Sequence, residues 1–224
     1  MRARPSAQRG LSIVELLVGA AIALFVTAAG GSLLAAQVQD HRRLLVEARL
    51  LQDLRSTADL ALRDLRRAGY WGHAASGVWM PGTAGTVANP YAALAPEGAA
   101  SDAATFEYSR DASENDYLDS NEQFGLRLRN GAIELQLGSG NWQALTDAGT
   151  LTVTAFTLTP RVQEATLACA QPCAAGTAAC PPRVRVRSVA LAITGRATND
   201  PTVVRSVRGS VRLRNDGTVG SCPA

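Results

Sequence analysis

Cys169, Cys173, Cys180 and Cys222 all lie in the last quarter of a 224-residue chain, and four thiols invite two chemistries. One is metal ligation. The spacing C-x3-C-x6-C lacks the paired C-x2-C clusters of zinc modules, and neither His41 nor His73 stands at ligand spacing from a cysteine, so no metal is expected. The other is disulfide formation: four cysteines in an exported domain read as two bridges, with three possible connectivities that spacing alone does not rank. The acidic run from Asp111 to Glu122, with Glu114, Asp116 and Asp119, offers carboxylates to calcium. It lacks the loop glycine and ligand spacing of an EF-hand and reads as a solvated surface loop. There is no Gly-rich phosphate loop and no G-x-S-x-G elbow, and Ser12 has no base beside it. No catalytic residue, no cofactor and no enzyme activity are therefore expected.

Glu15 is the residue whose position demands a use. It interrupts an apolar stretch from Leu11 to about Ala36, and a carboxylate inside a membrane segment costs about 2.5–3.5 kcal/mol on insertion scales. As a helix, that stretch of roughly 26 residues is about 39 Å long, enough to span a bilayer with some tilt. A secretory signal has a shorter apolar region followed by a cleavage site. Here Arg2, Arg4 and Arg9 precede the stretch, whereas Arg42 and Arg43 beyond it are balanced by Asp40 and Glu47. The positive-inside bias places the leader in the cytoplasm and the remainder outside. A carboxylate and a cation in low dielectric relieve each other's desolvation, so Glu15 calls for a positively charged partner.

The string Gly10-Leu11-Ser12-Ile13-Val14-Glu15-Leu16-Leu17-Val18 resembles the cleavage signal of type IV prepilins and type II secretion pseudopilins. The resemblance implies that prepilin peptidase cuts after Gly10, that Leu11 becomes the N-methylated first residue, and that Glu15 pairs with the terminal amine of a neighbouring subunit during assembly. Leucine at position 11 replaces the phenylalanine usual in the family, a departure the family tolerates. The string Leu65-Arg66-Arg67-Ala68-Gly69-Tyr70-Trp71-Gly72 resembles a signature of PilW-type minor pilins. Its physical reading is simpler: Arg66 and Arg67 complement the helix dipole, and Tyr70 and Trp71 plug the helix end. In pilins a C-terminal disulfide commonly staples the last loop, which favours a bridge from Cys222 to one of the other three cysteines. The function implied is that of a minor pilin that primes or joins a pilus. It would be stored in the inner membrane with a periplasmic head and then carried into the filament. Its partners would be prepilin peptidase, other minor and major pilins, the inner-membrane assembly platform and, before assembly, membrane lipid. The alternatives are a J-type minor pseudopilin of type II secretion and, in another class, a pilus-anchored adhesin or DNA-uptake receptor, for which the strand arginines are the candidate patch and their alternation with valine the simpler account.

The elements that position these residues follow from periodicity. Leu44, Leu51, Leu54, Ala58, Ala61, Leu65 and Ala68 recur at heptad-like spacing, which predicts one helix from Leu11 to Ala68 whose second half packs on the rest of the chain. Gly69 and Gly72 end it. From Thr105 the period becomes two: Thr105–Ser109, Phe124–Arg129, Ala132–Leu137, Trp142–Leu145, Thr150–Thr159, Arg183–Thr194 and Thr202–Arg214 read as strands, with a tight turn at Asn130-Gly131. In Arg183-Val184-Arg185-Val186-Arg187 the alternation predicts a wet arginine face and a dry valine face. The expected class is α+β, a long helix on an antiparallel sheet. It divides into a leader (1–10), an assembly helix (11–36), its amphipathic continuation (37–68) and a β-rich head (69–224). All 22 basic residues are arginine. With three of them in the leader, the chain beyond Gly10 is near neutral, and no nucleic-acid partner is expected.

Overall fold

The computed structural model describes residues 12–80, 86–177 and 179–223. Helix α1 runs Ile13–Arg67 without interruption, through a sequence rich in alanine and leucine and free of proline. Ser12 begins it: its carbonyl accepts the Leu16 N–H at 3.1 Å and its hydroxyl lies 3.4 Å from the Val14 N–H. Gly69 ends it at φ +78°, a conformation that disfavours any side chain. A Cβ there would also stand 2.7 Å from Nη2 of Arg187 and 3.0 Å from the Arg214 carbonyl. The chain divides into two compact units between Leu45 and Val46. The first is the apolar part of α1, with every side chain from Ser12 to Leu45 exposed. The second, the head, contains the remainder of α1 and all the strands.

Among the described residues two antiparallel sheets form the head, where the periodicity predicted one. The first is a meander of β1 (Leu94–Ala95), β2 (Ala103–Glu107), β3 (Gln123–Arg129), β4 (Ala132–Leu137) and β5 (Trp142–Ala144). Asn130 and Gly131, at φ 51° and 75°, make the two-residue turn between β3 and β4. The second sheet is β6 (Leu151–Thr166), β7 (Arg183–Ala197) and β8 (Val204–Arg212), with β9 (Gly217–Val219) pairing the first residues of β7. Among the described residues a single isolated antiparallel bridge, Ser101 to Leu158, ties the loop before β2 to β6 of the second sheet. Alternation along a strand reports two unlike faces but carries no information on which sheet the strand joins, which is why the division was not legible.

Leu50, Leu54, Ala58, Ala61, Leu65 and Ala68 of the helix region share one core with Phe106, Phe124, Leu126, Leu158, Val189, Leu191 and Ile193. The buried stripe departs from the expected seam at its start: Leu44 is 60% exposed and Leu51 is half-buried, while Leu50 is buried. The cause is the pitch of a straight helix. At about 100° per residue, Leu50 is five whole turns from Ala68, whereas Leu51 lies about 100° off that line; Leu44 belongs to the first unit, where every described side chain is exposed whatever its phase. The helix packs on its own head and follows 3.6 rather than 3.5 residues per turn.

Candidate functional site

The C-terminus of α1 leaves carbonyls unpaired, whereas the N–H groups of the turn that follows need acceptors, and the acidic run supplies them. Gly72 N–H donates to Glu114 Oε2 at 2.7 Å, and the hydroxyl of the buried Tyr91 lies 2.9 Å from Glu114 Oε1. The indole N–H of Trp71 donates to Asp116 Oδ1 at 2.6 Å, with His73 Nδ1 2.9 Å from the same oxygen. Glu122, fully buried, accepts the N–H groups of Arg110 and Asp119 at 2.7 and 2.9 Å. The run is exposed at most of its positions, as a surface loop is expected to be, but its acids are engaged: Glu114 and Asp116 close the corner after the helix, and Glu122 is buried at the base of the loop itself. Burial raises the Glu114 carboxyl, but the hydrogen bonds from Gly72, Tyr91, Ser109 and Asp116 outweigh it and hold the group below its usual range. Asp116 is held low by its bonds to Trp71 and then His73.

Of the two aromatics expected to plug the helix end, only Trp71 does so, at 2% exposure; Tyr70 is 43% exposed. Arg67 does more than complement the dipole. Its guanidinium carbon sits 4.2 Å from the centroid of Tyr108, whose ring stacks on Phe124 at 3.8 Å. Burial, then the nearby Asp64, push the Tyr108 hydroxyl up to about 12.

The arginines of β7 reverse the sequence expectation. Val189, Leu191 and Ile193 are buried, and Arg183, Arg185 and Arg187 continue their side of the strand by alternation. Val184 and Val186 take the other face. The arginines face inward because the core ends at Val189 and a cleft of about 500 Å³ begins, lined by Trp71, Asn89, Glu97, Arg187, Asp216 and Thr218 among others. Arg185 pairs with Glu164 at 3.2 Å and Glu97 at 3.8 Å. Arg187 donates to the Ala92 carbonyl. Asn89 and Asn215 donate to the Gly69 carbonyl at 2.9 and 3.0 Å, satisfying the helix end. Neither asparagine was legible as a cap, because Asn89 and Asn215 stand 20 and 146 residues from Gly69 in the chain.

The four cysteines form two disulfides, Cys169–Cys222 and Cys173–Cys180. The first joins the β6–β7 connection to the C-terminal segment after β9, and the second closes a small loop within that connection. The sulfurs of Cys169, Cys173 and Cys180 lie within 4.8 Å of one another. Each is held in a disulfide and has no thiolate to offer a metal.

Gly10 and Leu11 lie outside the described residues. Glu15 is exposed in the first turn of α1, where a carboxylate complements the dipole, and it has no ion-pair partner among the described residues. It is surrounded in sequence by exposed apolar side chains: Ile13, Leu16, Leu17, Ile22, Leu24 and Phe25 are each 59–79% exposed. The segment is long and apolar enough to cross a membrane.

A family model described as prepilin peptidase-dependent protein B matches residues 43–213, about three quarters of the chain. The chain belongs to that family. The match begins after the apolar segment, so the head is assigned on its own residues, without reference to the Gly10–Val18 signal. No curated protein and no solved structure matches. Membership in the prepilin peptidase-dependent protein B family makes this a minor pilin-like protein, with one N-terminal apolar helix suited to membrane anchoring and an α+β head.

Proposed function

We propose that the chain is a minor type IV pilin of the PilW type, which primes or joins pilus assembly after prepilin peptidase removes residues 1–10. The observation that carries this reading is an apolar helical segment left wholly exposed by its own head. It is preceded by a basic leader and a Gly10-Leu11 junction. Such a segment needs lipid before assembly and the helices of other subunits after it. The family match at residues 43–213 independently supports the minor pilin-like part of this reading. In this reading Leu11 is methylated after cleavage, and Glu15 compensates the new terminal ammonium of a neighbour, so that a misplaced subunit leaves two unpaired charges in low dielectric. The head works as a binding and packing module, without catalysis.

The test is the mass of the protein extracted from membranes with and without prepilin peptidase. The expected product with the enzyme starts at Leu11, carries one added methyl group and retains the apolar helix; without it the leader stays attached. A mature start beyond Ala36 would overturn the proposal, since the helix would then be a discarded signal.

A further inference from the structure

We propose that the outward face of β6, β7 and β8 binds the phosphodiester backbone of duplex nucleic acid. Register defines that face. Arg161, Ser188 and Arg212 stand in one row across the three strands; Thr159, Ala190 and Ser210 in the next; then Thr157, Ala192 and Arg208; then Ala155, Thr194 and Ser206; and Arg196 pairs with Val204 at the far end. All four arginines are exposed. Arg212 is paired with Asp216, while Arg161, Arg196 and Arg208 make no ion pair among the described residues. No carboxylate projects from these strands on this side: Glu164, opposite Arg185, lies on the inner side with it. In a chain with 19 acidic residues, a face whose strands carry four arginines and no carboxylate, with Arg212 alone neutralised by Asp216 from the following loop, has a segregated charge. The near-neutral total that argued against nucleic acid averages over this segregation.

The remaining side chains select the partner. Ser188, Ser206, Ser210, Thr157, Thr159 and Thr194 present hydroxyls, of the kind that hydrogen-bond phosphate oxygens, and arginine matches phosphate with a planar two-pronged donor. The apolar side chains larger than alanine on this face are Val184, Val186 and Val204, at its two ends. It therefore lacks the aromatic anchors at the centre of protein–protein interfaces. The absence of aromatics also disfavours single strands, whose bases need stacking platforms. With strands about 4.8 Å apart, Arg161 and Arg212 are separated by about 10 Å, and Arg208 is about 13 Å further along β8. That array spans several phosphates of a duplex carrying one charge per about 1.7 Å of axis. Contacts to phosphate alone predict binding without sequence preference.

The test uses the full chain in a neutral detergent and a fluorescent duplex DNA of arbitrary sequence, read by anisotropy. With three free arginines, affinity should fall roughly 40-fold between about 50 and 200 mM salt, a log–log slope near −3. The combined variant Arg161→Gln, Arg196→Gln, Arg208→Gln should lose at least about tenfold in affinity at low salt and flatten that slope. A control with the same charge change on the exposed side of α1, Arg49→Gln, Arg55→Gln, Arg63→Gln, should bind as the unmodified protein does. Unchanged melting and absence of free thiol verify that each variant is folded. Four results would overturn the proposal: no duplex binding at low salt, equal loss in both variants, tighter binding of single strands, or binding of polyglutamate in preference to the duplex.

Discussion

Glu114 divides its two oxygens between the backbone that leaves α1 and the hydroxyl of Tyr91, while Asp116 holds Trp71 and His73. Both carboxyls are shifted down in the fold, so the sign of the pH effect follows. Stability from these bonds is fully present above the ordinary carboxylate range near pH 4 and is lost as pH falls through the depressed values. The melting temperature of the head should be flat from neutrality to about pH 5 and drop below about pH 4. Glu114→Gln should melt a few degrees lower at neutral pH, because an amide cannot accept at both oxygens, and should show a smaller drop on acidification. A Glu114→Gln profile parallel to the unmodified one would show that this carboxylate does not hold the corner. The turn Gly69-Tyr70-Trp71-Gly72 was legible as the segment after a helix, and with it the need of its own N–H groups for acceptors. Their source was not, because Asp116 is 45 residues from Trp71 and no periodicity links them.

At the scale of elements, the sequence is most informative where packing is local. The extent of α1, the Asn130-Gly131 turn and the β3–β4 pair are set by neighbouring residues, and the structure places them close to where periodicity and turn chemistry put them. Partition into two sheets, and the inward turn of Arg185 and Arg187, depend on which distant strand is adjacent. The phase of the helix gives a direct test of what was misread. Leu50→Ala removes a buried side chain and should cost about 2–4 kcal/mol of head stability, whereas Leu51→Ala, on the half-buried side, should cost less than about 1 kcal/mol. Chemical denaturation of the two variants separates a straight helix from a heptad seam: equal losses would favour the seam.

At the scale of the whole molecule, two different solvents have shaped one chain. Residues 12–45 present exposed, mostly apolar side chains and no core, while the unit beginning at Val46 has its own core, both disulfides and nearly all of the family match. A fragment of residues 46–224 exported to an oxidising compartment should therefore fold as a soluble monomer with no free thiol, and the full chain should need detergent. Within the fragment the two bridges are unequal. Cys169–Cys222 spans a sequence separation of 53 and Cys173–Cys180 one of 7; by chain entropy the former is worth roughly 4 kcal/mol and the latter roughly 2.5 kcal/mol, before strain is counted. Cys222→Ser should lower the melting temperature more than Cys173→Ser and expose the segment after β8 to protease, since β9 pairs only three residues of β7. Size-exclusion chromatography, thiol labelling and limited proteolysis check each outcome. An aggregated fragment would mean that the apolar half of α1 is needed to fold the head, and equal melting of the two serine variants would mean that the long bridge does not constrain the unfolded chain.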